Sequence, residues 1–373
     1  MERSASLTSL GGVYLYAMHR YDIIFYARLV DALAECTNDY TLLITEYLYD
    51  IETLRAFILR KFKKIIVVPV NKTRQLDFAE KIRRVTNLKR WYDREINKYA
   101  TLVLLDKSSV YSRFFIKRSS NVVLIQQTEN IDRNYTLDLK ATTSDFIRCA
   151  VLGSCFATHY RNKSSGGVIR ALKFKSCGKK KDFRTFYNVF NPSKDFEFEL
   201  PSVQIQGGQK IVIFGSRFLS WPYFRQSESE LAFRRLSEIY KFIYSEFNDY
   251  DFYYIPHPLE SGGELSFINK IFSGSLNSVG KYFSSEHFLY ENRDIRFTFS
   301  IGSTSSFSAY SMGFSAKVFY KMLGFPADVE ATYDDIFSSV PSAFFAQCLP
   351  DLLVPESRKL IKPVVNQFER FLR

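Results

Sequence analysis

Short apolar runs alternate with longer helix-patterned stretches along most of this chain, and that alternation limits the fold more than any other feature. Residues 12–17, 41–45, 65–70, 101–105 and 122–125 read as strands rich in Val, Ile and Leu. Between the first four of them, residues 21–35, 51–62 and 73–97 carry apolar positions at helical spacing. The consecutive β-branched residues within 65–70 predict a strand buried on both faces. Units of strand, helix and strand repeated in this way close into a parallel, doubly wound sheet.

The pattern blurs over residues 136–201. There, Ser164-Ser165-Gly166-Gly167 and Cys177-Gly178-Lys179-Lys180-Lys181 have the composition of loops, and residues 204–209 read as a linker. Alternation then resumes. Strands are predicted over 210–214, 251–255, 280–283, 296–301 and 316–320, with helices over 229–247 and 265–272 and another beginning at Ser305. Ser284 is placed to cap a short helix. The expected fold class is therefore α/β, with two Rossmann-like domains over 1–200 and 210–355 facing a cleft. A basic amphipathic helix over 356–373 is expected to pack back on the N-terminal domain.

Composition narrows the functional classes. With 46% hydrophobic residues among 373, the chain has material for two cores, which excludes wholesale disorder. It carries 51 basic and 39 acidic side chains, a net charge of +12, which favours an anionic partner such as a phosphorylated substrate or an acidic lipid surface. No nucleic-acid reader module is legible, so nucleic acid is not expected as a partner. Cys36, Cys149, Cys155, Cys177 and Cys348 are scattered without metal-ligand spacing, as reduced thiols in a cytoplasmic protein would be. No signal peptide opens the sequence and no apolar run approaches the ~20 residues of a membrane span, so the chain is expected to be soluble, or peripheral at the inner face of a membrane.

The candidate functional residues sit where the strands stop. Tyr253-Tyr254-Ile255-Pro256-His257-Pro258 is an apolar run closed by a histidine between two prolines, which restrict the backbone and set its direction. His257 can donate to a phosphate oxygen. Further along, residues 299–306 run from a strand into Ser303-Thr304-Ser305-Ser306, four hydroxyls and several amides at a helix start. Gly215-Ser216 closes the first strand of the second half, where a glycine allows close backbone approach and the following amides can bind an anion. Glu286, beside a helix start, suits either ribose hydroxyls or capping. In the first half, Glu129 follows a strand and can serve as a general base, with Asp106 and Asp132 as rivals; His19, after the first strand, and Asp106 are placed to meet an acceptor.

A strand ending in His-Pro followed by a strand ending in a serine pair resembles the bacterial sialyltransferases and polysialyltransferases of GT-B architecture. The matching residues are His257-Pro258 and Ser305-Ser306. The resemblance implies that they bind the phosphate of CMP. The family's acidic-acidic-Gly motif corresponds to Thr128-Glu129-Asn130, which keeps one acid and lacks the second acid and the glycine. The implied reaction is an inverting transfer, without metal or other cofactor, of a nonulosonic acid or Kdo-like sugar. The sugar passes from a CMP donor to a hydroxyl of a surface glycan or glycolipid (lipooligosaccharide, O-antigen or capsule), with Glu129 as base. No Asp-x-Asp pair closes a strand. Two alternatives stay open: a transferase using a UDP-sugar, GDP-sugar or CDP-glycerol donor, and a non-catalytic two-domain binding protein.

Overall fold

The computed structural model describes residues 12–33, 39–48, 60–70, 78–105, 109–126, 135–152, 154, 157–162, 168–172, 182–187, 208–220, 229–280, 284–337 and 340–355. These fall into two compact units, one over the described residues up to 187 and one from 208 onward. The predicted helix over 356–373, nearly all of the one over 51–62, and most of the linker lie outside the described residues.

The first unit opens with β1 (Val13–Ala17), α1 (Arg20–Ala32), β2 (Tyr40–Thr45), β3 (Lys64–Val68), α2 (Phe78–Glu95), β4 (Thr101–Leu104), α3 (Val110–Arg118) and β5 (Asn121–Gln126). β6 (Tyr135–Leu137), α4 (Leu139–Leu152), β7 (Ala157–Asn162), β8 (Val168–Leu172) and β9 (Asp182–Tyr187) follow. Its main sheet runs β3-β2-β1-β4-β5-β9, parallel throughout, which is the Rossmann order. Leu15, Leu42, Val103 and Leu124 are fully buried along it, and Tyr16, Trp91 and Phe115 pack together, the first and last with ring centroids 4.6 Å apart. The chain adds strands toward β3, then returns to add β4 on the other side of β1. The crevice outside the carboxyl ends of β1 and β4 is where such a sheet accepts ligands.

Two expectations need correction. The strand predicted over 65–70 is not covered on both faces: β3 is the edge strand, with Lys64 exposed and Ile65 and Val67 only half-buried. Its β-branched run fits an edge as well as a centre, and Lys63 and Lys64 are the kind of charge that discourages further pairing there. The blurred stretch over 136–201 also carries regular structure among its described residues. β6, β7 and β8 form a separate antiparallel sheet, and β9 returns to pair in parallel with β5, Asn121 opposite Asp182. β7 and β9 (ATHYRN and DFRTFY) interleave polar with apolar residues, so neither shows the apolar run that marks the other strands.

An ion pair holds α4 to α3. Arg113 and Asp145 are buried, and the guanidinium grips the carboxylate through both nitrogens, the Nη2–Oδ1 contact being 2.8 Å. Arg113 Nε also donates to Ser109 O at 3.3 Å. Cys149 Sγ, on the same helix as Asp145, donates to that carboxylate, and His159 Nε2 on β7 lies 3.5 Å from it. Burial pushes the Cys149 thiol up, so it stays a protonated donor. Cys149 and Cys348 are free thiols.

The second unit contains β10 (Lys210–Phe214), α5 (Ser229–Glu246), β11 (Asp251–Ile255), α6 (Gly263–Ile271), β12 (Asn277–Ser278), α7 (Ser285–Glu291), β13 (Ile295–Ser300), α8 (Ser305–Ser311), β14 (Ser315–Val318) and α9 (Ala327–Ile336). Its sheet runs β12-β11-β10-β13-β14, again all parallel. Of the strand predicted over 280–283, residues 281–283 lie outside the described residues; β12, just before it, was not predicted. β12 is short and exposed and carries Asn277 and Ser278, so no hydrophobic pattern announces it. Many of the aromatic side chains are packing material: Phe252 meets Phe272 at 4.8 Å between centroids, and Tyr240 meets Phe319 edge-on at 5.8 Å.

Removing Asp145 leaves a buried guanidinium without its counter-charge. Asp145→Ala is expected to destabilise the first unit by about 3–5 kcal/mol, while the double variant Arg113→Met, Asp145→Leu recovers most of that loss. Denaturant unfolding followed by circular dichroism checks both.

Candidate functional site

The second sheet reverses its strand order between β10 and β13, and the predicted residues gather at the carboxyl ends there. Phe214 is level with Ile255 on one side and with Ser300 on the other, so β11, β10 and β13 finish together. Just beyond that line come Pro256-His257, Gly215-Ser216 and Gly302-Ser303. Strands repeat every ~4.8 Å, which puts the His257 turn and the serine turn about 10 Å apart with Gly215 between them.

The His257 turn is built on a buried carboxylate. Glu260 is 5% exposed, and its Oε2 accepts both the His257 backbone N–H and the Tyr254 hydroxyl, each at 2.9 Å. Burial, and then the Glu260 charge, push Tyr254 far above the ordinary tyrosine range, so its hydroxyl remains a donor. Gly215 makes this possible. A Cβ there would lie 2.6 Å from both Glu260 Oε2 and Tyr254 Oη, and 2.8 Å from His257 N. The close approach that Gly215 allows is therefore to Glu260 and Tyr254, and its own amide donates to Ile255 O at 2.8 Å rather than outward. Pro256 is buried and Pro258 exposed, fixing the turn on either side of the histidine.

The protonation of His257 follows from its contacts. The Leu259 N–H donates to Nδ1 at 3.1 Å, so Nδ1 offers a lone pair and the proton of the neutral ring sits on Nε2. Burial holds the imidazole below its ordinary value, the positive charge of Arg217 lowers it further, and Glu264 acts in the opposite direction. Glu264 is itself buried and accepts both the N–H and the hydroxyl of Ser261, at 3.2 and 2.9 Å. At neutral pH His257 is an uncharged N–H donor. Arg217 received no role from sequence; the signal was its place two residues past the strand-ending glycine, at the strand-order reversal.

The serine turn folds largely upon itself. Ser303 N–H donates to Ser300 Oγ at 3.0 Å, Ser305 N–H to Ser303 Oγ at 3.2 Å, and Ser306 N–H to Ser303 O at 3.0 Å. Ser306, expected to bind a ligand, is fully buried, with its hydroxyl 2.8 Å from that of Ser300. It shapes the turn from behind, because its position leaves no surface to offer. Ser303 and Ser305 are half-buried and Thr304 is exposed. Gly302 is required at the bend, where a Cβ would come within 2.3 Å of the Tyr333 ring. Glu286 ties this turn to the preceding helix: its carboxylate accepts Ser284 and Ser285 Oγ at 2.7 and 3.0 Å and Ser308 Oγ at 2.9 Å, while Ser285 Oγ lies 2.7 Å from Ser305 Oγ. Ser284 caps α7 as expected, accepting His287 N–H.

In the first unit, His19 follows β1 at the other strand-order reversal and stands at the N-cap of α1, its ring stacked on Tyr21 at 5.2 Å. Buried Asp22 fixes this turn by accepting the Met18 and His19 N–H groups at 2.7 and 2.9 Å. Asp106, Glu129 and Asp132 lie outside the described residues. Among the described residues, no three His, Cys, Asp or Glu side chains gather as a metal site, and no helix is long and apolar enough to cross a membrane.

No protein-family model matches the chain, and comparison with curated proteins finds no match. Among solved structures it is similar to a UDP-glucosyltransferase from Polygonum tinctorium, at 10% identity over 89% of this chain and 84% of that one, TM-score 0.40. It is also similar to a UDP-N-acetylglucosamine 2-epimerase from Rickettsia bellii, at 13% identity over 81% and 76%, TM-score 0.40. A third is the glycotransferase of kitacinnamycin, at 10% identity over 97% and 94%, TM-score 0.43. Likenesses this loose establish neither an activity nor a donor.

Gly215→Ala drives a methyl group into the Glu260 carboxylate and is expected to destabilise the second unit by about 1–3 kcal/mol, read as a lower unfolding midpoint. A second outcome concerns pH. His257 is held below its ordinary value of 6.5, so the unfolded chain takes up its proton first as the pH falls. The stability that this group contributes is present above 6.5 and is lost as the pH falls from there toward the folded value. His257→Gln is expected to flatten the pH dependence of the melting temperature in that window.

Proposed function

We propose that this chain is a nucleotide-sugar-dependent glycosyltransferase of GT-B type whose second unit binds the donor. The observation that carries this reading is the placing of His257 and of the Ser303–Ser305 turn on either side of Gly215, at the ends of three adjacent parallel strands where the strand order reverses. Imidazole N–H and hydroxyl groups there suit a phosphate, and their fixed positions suit one on which charge develops as the bond to the sugar breaks. These are ligands for phosphate oxygens rather than for a metal ion, so the transfer is proposed to run without one.

The donor we propose is a CMP-activated nonulosonic acid or Kdo-like sugar, and the acceptor a glycan hydroxyl. The His257-Pro258 pair after β11 and the Ser305-Ser306 pair after β13, in that order, support this choice. His257 Nε2–H and the hydroxyl of Ser303 would stabilise the departing CMP, with Ser305, whose proton goes to Ser285, setting the shape of the turn beside them. Glu286 holds Ser305 in place through Ser285, its carboxylate being taken up by serine hydroxyls rather than turned to a ribose. Glu129 is the proposed base from the first unit, with His19 near the acceptor. The excess of positive charge suits an anionic or membrane-anchored acceptor.

Nucleotide screening by thermal shift tests the donor. CMP at a hundredfold excess over its dissociation constant should stabilise the protein by about 2.7 kcal/mol. UMP, UDP, CDP and GDP should do less; stabilisation by UDP alone would move the chain to a UDP-sugar donor. His257→Ala should lower turnover of a CMP-sugar by about 10²–10³ while leaving the fold intact, and unchanged turnover would remove His257 from the mechanism.

A further inference from the structure

We propose that Arg217 is the cation that holds the donor phosphate, completing a site whose other two arms are uncharged. The inference rests on the nucleotide-binding reading above and adds the group that matches the ligand's charge.

The argument begins with a deficit. With Leu259 N–H bonded to its Nδ1, His257 offers one neutral N–H through Nε2. The serine turn offers hydroxyls, much of whose capacity is already spent inside the turn. Neither arm carries a positive charge, and the buried acids Glu260 and Glu264 lie close behind His257. A phosphate brought to these groups alone would be poorly neutralised.

Arg217 meets that deficit. It follows Gly215-Ser216 just past the end of β10, the strand that lies between β11 and β13, and is therefore on the chain segment between the two arms. Its backbone is pinned, since Ser220 donates to Arg217 O through its N–H at 3.0 Å and its hydroxyl at 2.7 Å. Its side chain is exposed, and among the described residues no carboxylate pairs with it. Its charge is near enough to be felt at the His257 ring. A guanidinium with a fixed root and no carboxylate partner among the described residues, on the segment between two sets of phosphate donors, is suited to grip phosphate oxygens through two N–H groups at once. Lysine at this place would supply charge without the fork.

The full-length protein is titrated with CMP and, separately, with cytidine, by calorimetry, for the wild type, Arg217→Gln and Arg217→Lys. Arg217→Gln should weaken CMP at least tenfold and leave cytidine unchanged; Arg217→Lys should restore only part of the loss. In the wild type, CMP but not cytidine should raise the His257 titration midpoint followed by NMR, because bound phosphate offsets the Arg217 charge. Equal CMP affinity in the wild type and Arg217→Gln overturns the assignment of Arg217 while leaving nucleotide binding intact. If the wild type takes UDP and not CMP, the same comparison with UDP and uridine decides Arg217 in the same way, and only the choice of donor falls. If neither nucleotide binds the wild type, both the donor reading and this inference fail.

Discussion

The second unit is organised around one buried carboxylate. Glu260 draws in the hydroxyl of Tyr254 from the strand and the backbone N–H of His257 from the turn beyond it, in space left open by the missing side chain of Gly215 on the neighbouring strand. Three features of the chain thus depend on one another: a tyrosine kept protonated by burial, an acid that accepts from that tyrosine and from the turn, and a glycine that cannot be anything larger. What reaches the surface is a histidine in a fixed tautomer. The surface chemistry is simple because the polar work is done a layer below it.

The serine turn follows the same plan with weaker groups. Ser300 and Ser306 pair behind the bend, Tyr333 fills the place where Gly302 has no side chain, and Glu286 collects three hydroxyls from two short helices. Residues of one type, adjacent in sequence, thereby divide into two kinds, those that shape the turn and those that face outward. Substitution of Ser305 or Ser306 therefore acts on the shape of the site, and substitution of Ser303 acts on its chemistry.

The strands that carry the site were legible because each is a run of buried apolar residues ending in a residue that breaks it, as with Ile255-Pro256-His257. That both units are parallel α/β sheets was legible for the same reason; their strand orders were not. Where polarity alternates, as in β7 and β9, or where a strand is two polar residues long, as in β12, no apolar run exists to be read. The partners behind the site were hidden for another reason. That Glu260 is buried, that Ser306 lies against Ser300 and that the charge of Arg217 reaches His257 follow from tertiary placement, and an isolated Glu, Ser or Arg in a turn looks alike whether it is solvated or enclosed.

The sixth strand of the first sheet has a bearing on how the chain is made. β9 pairs with β5, yet the antiparallel sheet and α4 are synthesised between them. As the chain leaves the ribosome, β5 is an uncovered edge until residue 187 has followed it out, and an uncovered edge is a template for any extended segment nearby. The polar alternation of β9 that hides it from inspection also keeps it soluble while it waits to pair. A less polar β9 would be easier to recognise and more prone to aggregate during synthesis.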